Sequence, residues 1–256
     1  MQFSIDLISD LNINKESFDW IGKPTSLFCL VAGGVSSDRT ILLETLQHLG
    51  RQYKQVFFID GPHDMRHEII NLKESYKELE MYIPNLENIV YGNNQVVMLN
   101  NVAIVLVNGW WSYDFDNNID IEQVEQLLID EWKIDRQSML KLACYAYSDT
   151  KYLENTIKKL QSHKDVKEII IVSNTVPLVN LISHDIELVG STKMNLMGSS
   201  MITSCLSFDT EQKVKTWCFG YYPHAIDEII DGIRFVSNPR AGHIDVYYPK
   251  IIRALS

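Results

Sequence analysis

Short apolar runs alternate with helix-spaced ones along this chain. Ser26 to Ala32 is almost wholly apolar, as a strand buried on both faces requires, and Gln55 to Ile59 repeats the pattern. Phe3 to Ile8 reads as a strand ahead of them. Between the second and third runs, Ser37 or Asp38 stands where an N-cap belongs, and Leu42, Leu46 and Leu49 share one face of a helix running to about Tyr53. Ile69, Leu72, Tyr76 and Leu79 give helix spacing over His67 to Tyr82. Ile89 to Tyr91, Val96 to Leu99 and Val102 to Val107 read as strands, with Asn100-Asn101 as a tight turn between the last two. Helical stretches follow over Ile121 to Trp132 and Arg136 to Leu160. The second is expected to break near Ser148-Asp149, where Asp149 would cap a new helix. Strands are expected again at Glu168 to Val172, Lys213 to Phe219, Ile233 to Val236 and His243 to Tyr247.

Hairpins interleaved with helix-linked strands argue against a purely parallel, doubly wound sheet. The pattern predicts an α/β chain of the α+β type, with two mixed β-sheets packed as a sandwich and flanked by helices. No repeat, low-complexity stretch or Pro/Gly linker interrupts it, so residues 1–256 are expected to form a single domain.

Composition narrows the function classes. With 46% hydrophobic and 22% charged residues the chain can bury a sizeable core, which excludes a disordered, collagen-like or disulfide-scaffold protein. Its longest apolar runs, Leu27 to Ala32 and Val102 to Val107, fall far short of the ~20 residues of a membrane helix. The first ten residues carry Asp6 and Asp10 and no basic start, so no signal peptide is expected. Lysine and arginine number 23 against 33 aspartates and glutamates, a net charge of −10 without a basic block. Nucleic acid is therefore not expected as the main partner. Cys29, Cys144, Cys205 and Cys218 show no CxxC spacing and are expected to be buried free thiols in a reducing, cytoplasmic setting.

In folds of this class, ligands gather on loops past the strand C-termini. Here such loops are ISDLNIN (8–14), VAGGVSSD (31–38), FIDGPHD (58–64), VSNTVP (172–177), CFGYYPHAID (218–227) and VSNPRAG (236–242). Their order and spacing resemble the calcineurin-like metallophosphoesterase family over essentially the whole chain. ISDLN resembles its Asp-x-His loop, VAGGVSSD its Ala-Gly-Asp loop and FIDGPHD its Gly-Asn-His-[Asp/Glu] loop. VSNTVP resembles Thr-His-His-x-Pro, CFGYYPHAID resembles Gly-His-x-His, and GIRFVSNPRAG resembles the closing Gly-x-Arg-x-x-x-Asn-Pro-Arg-Gly segment. NGWWSYDF (108–115) is similar to a Leu-Trp-x-Asp-Phe stretch of single-domain members.

The resemblance implies a site in which two divalent metals, held by Asp, His and Asn side chains, share a hydroxide that attacks phosphorus. Carried over by position, Asp10 is kept, but Asn12 stands at a ligand His and Gly34 at the metal-bridging Asp. Pro62 stands at the ligand Asn, Asn174 at a ligand His, and Tyr221 and Pro223 at two further ligand His positions. His63 matches the family's leaving-group acid. Glycine and proline bring no side-chain donor, and loss of the bridging carboxylate removes what holds two cations together.

Each retained group also has a plainer reading. Asp10 binds a lone cation or caps its loop. His63 and Asp64 form an acid–base pair, or His63 is a hydrogen-bonded loop residue. His224 is a substitute ligand or a rim residue. Gly33 and Gly34 serve the backbone, with positive φ. Trp110 and Trp111 pack in the core, and Ser36 and Ser37 serve the following helix. No P-loop, GxGxxG, HExxH or GxSxG motif offers other chemistry.

The expected function is that of a catalytically degenerate phosphoesterase-fold protein kept for binding, scaffolding or assembly. It would have protein partners or self-association, no membrane, and no metal or other cofactor. The alternative is a metal-dependent phosphoesterase with a rebuilt site: one Mn, Zn or Mg ion held by Asp10, Asn12, Asn174 and His224, with His63 as acid. A second alternative is a phosphate- or nucleotide-binding module whose bowl is lined by Asn12, His63, Asn174, Tyr221 and Arg240.

Overall fold

In the computed structural model, which describes residues 2–14, 21–65, 72–116, 120–240 and 246–255, the apolar runs pair into two sheets. The first contains β1 (Gln2–Ile8), β2 (Phe28–Ala32), β3 (Gln55–Ile59) and β4 (Ile89–Tyr91), all parallel. The second contains β5 (Gln95–Leu99), β6 (Val102–Leu106), β7 (Glu168–Val172), β8 (Val214–Phe219), β9 (Ile226–Ile230) and β10 (Ile233–Ser237). Strand β11 (Lys250–Leu255) closes the first sheet antiparallel to β1. The orders are β11-β1-β2-β3-β4 and β5-β6-β7-β8-β10-β9. Strands β6, β7, β8 and β10 are parallel, while β5 and β9 form antiparallel hairpins at the two edges.

The layers follow from strand alternation. Leu7, Leu30, Ile59, Ile104, Val172 and Val236 face one another between the sheets. The outer face of the first sheet packs on α1 (Arg39–Gln52) and α2 (Leu72–Tyr82) through Leu42, Leu46, Leu49 and Leu79. The outer face of the second packs on α4 (Arg136–Ser162) through Leu153 and Ile157. The short α3 (Ile121–Leu127) adds Val124 to the same cluster as α1 and α2. Asp38 caps α1, accepting from the N–H of Thr40 (2.8 Å) and Ile41 (3.1 Å). No helix among the described residues is long and apolar enough to cross a membrane.

Several expectations need correction. Helix α4 does not break at Ser148-Asp149 but runs unbroken for 27 residues. The Asp149 carboxylate does not cap its own helix; it accepts from the N–H of Gly109 (2.9 Å) and Trp110 (3.3 Å) on another loop. The 121–132 stretch is not one α-helix, because Leu128–Trp132 forms a π-turn that Lys133 ends at φ 58°. The last strand lies at Lys250–Leu255, where Ile252 and Ala254 enter the core; residues 243–245 lie outside the described residues. Strand β9 occupies what reads as loop, because Asp227 on one face and Glu228 on the other interrupt its apolar residues. Cys29, Cys205 and Cys218 are buried, but Cys144 is exposed on α4. The start of the helix expected from His67 also lies outside the described residues, and α2 begins at Leu72.

Candidate functional site

The parallel strands of both sheets point their C-terminal ends at one mouth. Past β1 and β10 the chain makes a parallel bridge between Ser9 and Pro239. Asp10 N–H donates to the Gly33 carbonyl (3.0 Å), and Gly220 N–H donates to the Asn174 carbonyl (2.7 Å). Asp10, Asn12 and Tyr221 adopt φ of 49°, 49° and 63°, and Gly33 and Gly34 adopt 70° and 68°. Several loops thus reverse direction within a few residues of each other, at a strain cost for the non-glycine residues.

Asp10 is buried, and both its carboxylate oxygens accept from the Tyr221 N–H (2.8 and 2.9 Å). Burial pushes its pKa up to about 8, against the Tyr221 hydrogen bond. Asp64 is also buried and gathers the loops of the first sheet. It accepts from the N–H of Gly34 (2.8 Å), Val35 (2.7 Å), Ser36 (3.0 Å) and Gly61 (3.0 Å). Burial pushes its pKa up to about 7, while those donors favour its ionised form. Asn174, fully buried, donates through Nδ2 to the Ala32 carbonyl (2.8 Å) and so ties the second sheet to the first.

Of the positions that the resemblance assigns to metal ligands, Gly34 and Pro62 bring no side-chain donor. The Asn174 amide lies where side chains on Gly33 and Gly61 would project. A Cβ on Gly34, the position of the bridging carboxylate, would stand 2.5 Å from Asp10 Oδ1 and 2.8 Å from Asp10 Cα. Pro62 is buried, and Pro223 lies on the rim. Among the described residues, no three His, Cys, Asp or Glu side chains group to hold an ion. Asn174 Oδ1 has no hydrogen-bond partner, but it faces Gly61 rather than open space.

Above this closed floor opens a cavity of about 420 Å³. Asp10, Asn12, His63, Tyr221, His224 and Arg240 line it together with Trp132, Tyr222, Pro223 and Pro239. Asn174, Gly34 and Asp64 lie in the floor rather than the lining, and Asp64 is turned to backbone N–H groups. Trp132 is a residue the sequence hides. Its place in a helix-like stretch gives no reason to separate it; it ends a π-turn, a feature frequent at functional sites. Buried Trp111 holds it edge-on (5.1 Å between ring centres, 75°) and also contacts Tyr221 (5.7 Å). Trp132 and Tyr221 also line a neighbouring cavity of about 280 Å³, with Leu196, Met197 and Glu187.

No protein-family model matches the chain, and no curated protein matches it in sequence. Solved structures do match. The phosphopantetheinyl hydrolase PptH of Mycobacterium tuberculosis superposes with a TM-score of 0.66 at 13% identity, over 93% of this chain and 89% of that one. GAP50, the anchor in the inner membrane complex of Plasmodium, gives 0.53 at 10% identity over 93% and 71%. A dimetal phosphatase of Danio rerio gives 0.51 at 12% identity over 93% and 87%. Two mixed sheets, flanking helices and loops that meet at one mouth give the chain the calcineurin-like metallophosphoesterase fold.

Proposed function

We propose that the chain is a non-hydrolytic member of this fold, kept for binding, scaffolding or assembly. The observation that supports this reading is the donor set: Gly34 and the buried Pro62 bring no side-chain ligand, and a Cβ on Gly34 would stand 2.5 Å from Asp10 Oδ1. Losing a metal-generated hydroxide leaves His63 as the acid–base group on the rim, and such help is worth only ~10²–10⁴-fold. That gain is small against the uncatalysed barrier of phosphate-ester cleavage. GAP50, a chain of the same fold, is named as an anchor, which agrees with a scaffolding role.

Hydrolysis of bis(p-nitrophenyl) phosphate with added manganese, zinc or magnesium is expected to stay at background and to be unchanged by His63→Ala. Metal-dependent turnover that vanishes in both Asp10→Ala and His63→Ala would replace this reading with the rebuilt-site phosphoesterase.

The cavity above the floor favours one further role within the same reading. His63, His224 and Arg240 gather around it, with Trp132 and Tyr221 as flat apolar walls. That is a setting for a phosphate or a nucleotide held without cleavage. Titration with AMP is expected to quench tryptophan fluorescence, and Arg240→Ala is expected to abolish the signal. Absence of any AMP effect would leave the bowl without this role.

A further inference from the structure

Two strands on one flank of the sandwich end in open edges. Strand β9 pairs with β10 and β11 pairs with β1; neither has a strand on its other side among the described residues. They lie side by side, because Lys250 Nζ at the start of β11 reaches Asp227 Oδ2 on β9 across the gap between the sheets (2.7 Å). The Ser9–Pro239 bridge is parallel, so β1 and β10 run the same way. Strands β11 and β9, each antiparallel to its neighbour, therefore also share a direction.

Their chemistry is opposite. Strand β9 carries Asp227 and Glu228 and is followed by Asp231, while β11 carries Lys250 and Arg253. Asp227 is held within the chain by Arg234 (2.7 Å) and Lys250. Glu228 and Arg253 are exposed and form no ion pair among the described residues. Ile229 is 75% exposed on β9 and Ile251 is 40% exposed on β11. An open edge bearing isoleucines is what soluble sheets avoid, unless something pairs with it.

We propose that this flank is the interface of a homodimer in which β9 of each copy adds in parallel to β11 of the other. A two-fold axis along the strands brings the first sheet of one copy level with the second sheet of its partner, so both levels become continuous. An axis normal to the sheets would instead set β9 against β9, with Asp227, Glu228 and Asp231 facing like charges, which is destabilising. Charge thus selects between the two symmetries.

The same axis fixes the register, because rotation about it leaves each residue at its height along the strands. Asp227 and Lys250 lie within ion-pair reach in one copy, and matching faces place the partner's Asp227 opposite Lys250. The partner's Ile229 then meets Ile252, and the partner's Glu228 lies beside Ile251, one diagonal step from Arg253. The faces agree. Val236, which pairs with Asp227, and Ile252 both point between the sheets, so Asp227 and Ile229 do so too. Glu228 and Arg253 point outward, and a diagonal pair lies within reach of long side chains.

Sedimentation velocity at micromolar concentration tests this, since the wild type is expected at twice its 29.5 kDa chain mass. Glu228→Arg alone and Arg253→Glu alone are each expected to halve the mass. The double variant E228R/R253E is expected to restore it, because the swapped charges again oppose. Ile229→Lys is expected to halve the mass with an unchanged circular dichroism spectrum, since the side chain is exposed in one copy. A monomeric wild type overturns the proposal, as does a dimer indifferent to the single swaps or a double variant that stays monomeric. None of these results bears on the turnover assay for the bowl, so failure of the dimer and failure of the non-hydrolytic reading are separable.

Discussion

Asn174 and Gly34 carry the argument at the scale of single residues. Asn174→His would restore the side-chain type that the resemblance places there. Yet the amide already fills the space beside Gly33, Gly61 and Gly220, and an imidazole is larger. The variant is expected to lose ~1–3 kcal/mol by overpacking and to gain no manganese site. Gly34→Asp meets two obstacles, φ of 68° and the closeness of Asp10. It also buries a second carboxylate beside Asp10. It is expected to be destabilised by ~3 kcal/mol or more and still not bind manganese. Urea unfolding and calorimetric titration read both outcomes. A variant as stable as the wild type, with a tight manganese site, would show that the floor opens readily.

Among the elements, α4 depends most on a contact far away in sequence. Asp149 sits near the middle of the helix, buried, and holds the N–H groups of Gly109 and Trp110 that would otherwise lack partners. Asp149→Ala is expected to cost ~1–3 kcal/mol in urea unfolding, the penalty of orphaned buried donors. Asp149→Asn is expected to cost less. Asn94 donates to Asp149 (3.2 Å) while its own Oδ1 has no hydrogen-bond partner, so a flipped Asn94 amide would accept from the side-chain NH₂ that this substitution introduces. Equal losses in the two variants would sink this account.

The same residue shows why the sequence is legible in some places and not others. The strands β3 and β7 can be read to the residue, because burial on both faces writes an apolar run. The Ser148-Asp149 pair reads locally as a cap, and nothing nearby reveals that its acceptor serves a loop about forty residues earlier. Strands β9 and β11 escape because edge strands have polar faces and no run to see. At the site, the loops that converge are legible from their order after strands. The role of Trp132 is not, because a π-turn and an α-turn are written alike.

Across the whole molecule, Asp10, Asp60, Asp64 and Asp149 are all buried, and burial raises their pKa values to about 8, 6, 7 and 7 from an ordinary 3.8. A folded state that binds protons more tightly than the unfolded chain is favoured by acid. The stabilisation is present on the acid side and is lost as pH rises through these folded values. The urea midpoint is therefore expected to fall between about pH 6 and pH 8.5, and Asp149→Asn is expected to flatten the fall. A midpoint that stays level over that range would mean the backbone donors keep these carboxylates ionised throughout.

The closed mouth also sets an order of events in the making of the protein. Asn174 and Ala32 are 142 residues apart, and Tyr221 and Asp10 are 211 apart. The first four strands can emerge and pair while the partners of their loops are still untranslated. Until Tyr221 leaves the ribosome, the Asp10 carboxylate lacks the backbone donor it accepts from, and the first sheet has an uncovered face. Contacts of such span form late, and the half-made chain exposes apolar surface meanwhile. A nascent chain stalled before Tyr221 should therefore be held by chaperones and cut readily by protease, whereas one extended by an added linker so that β11 has emerged should resist.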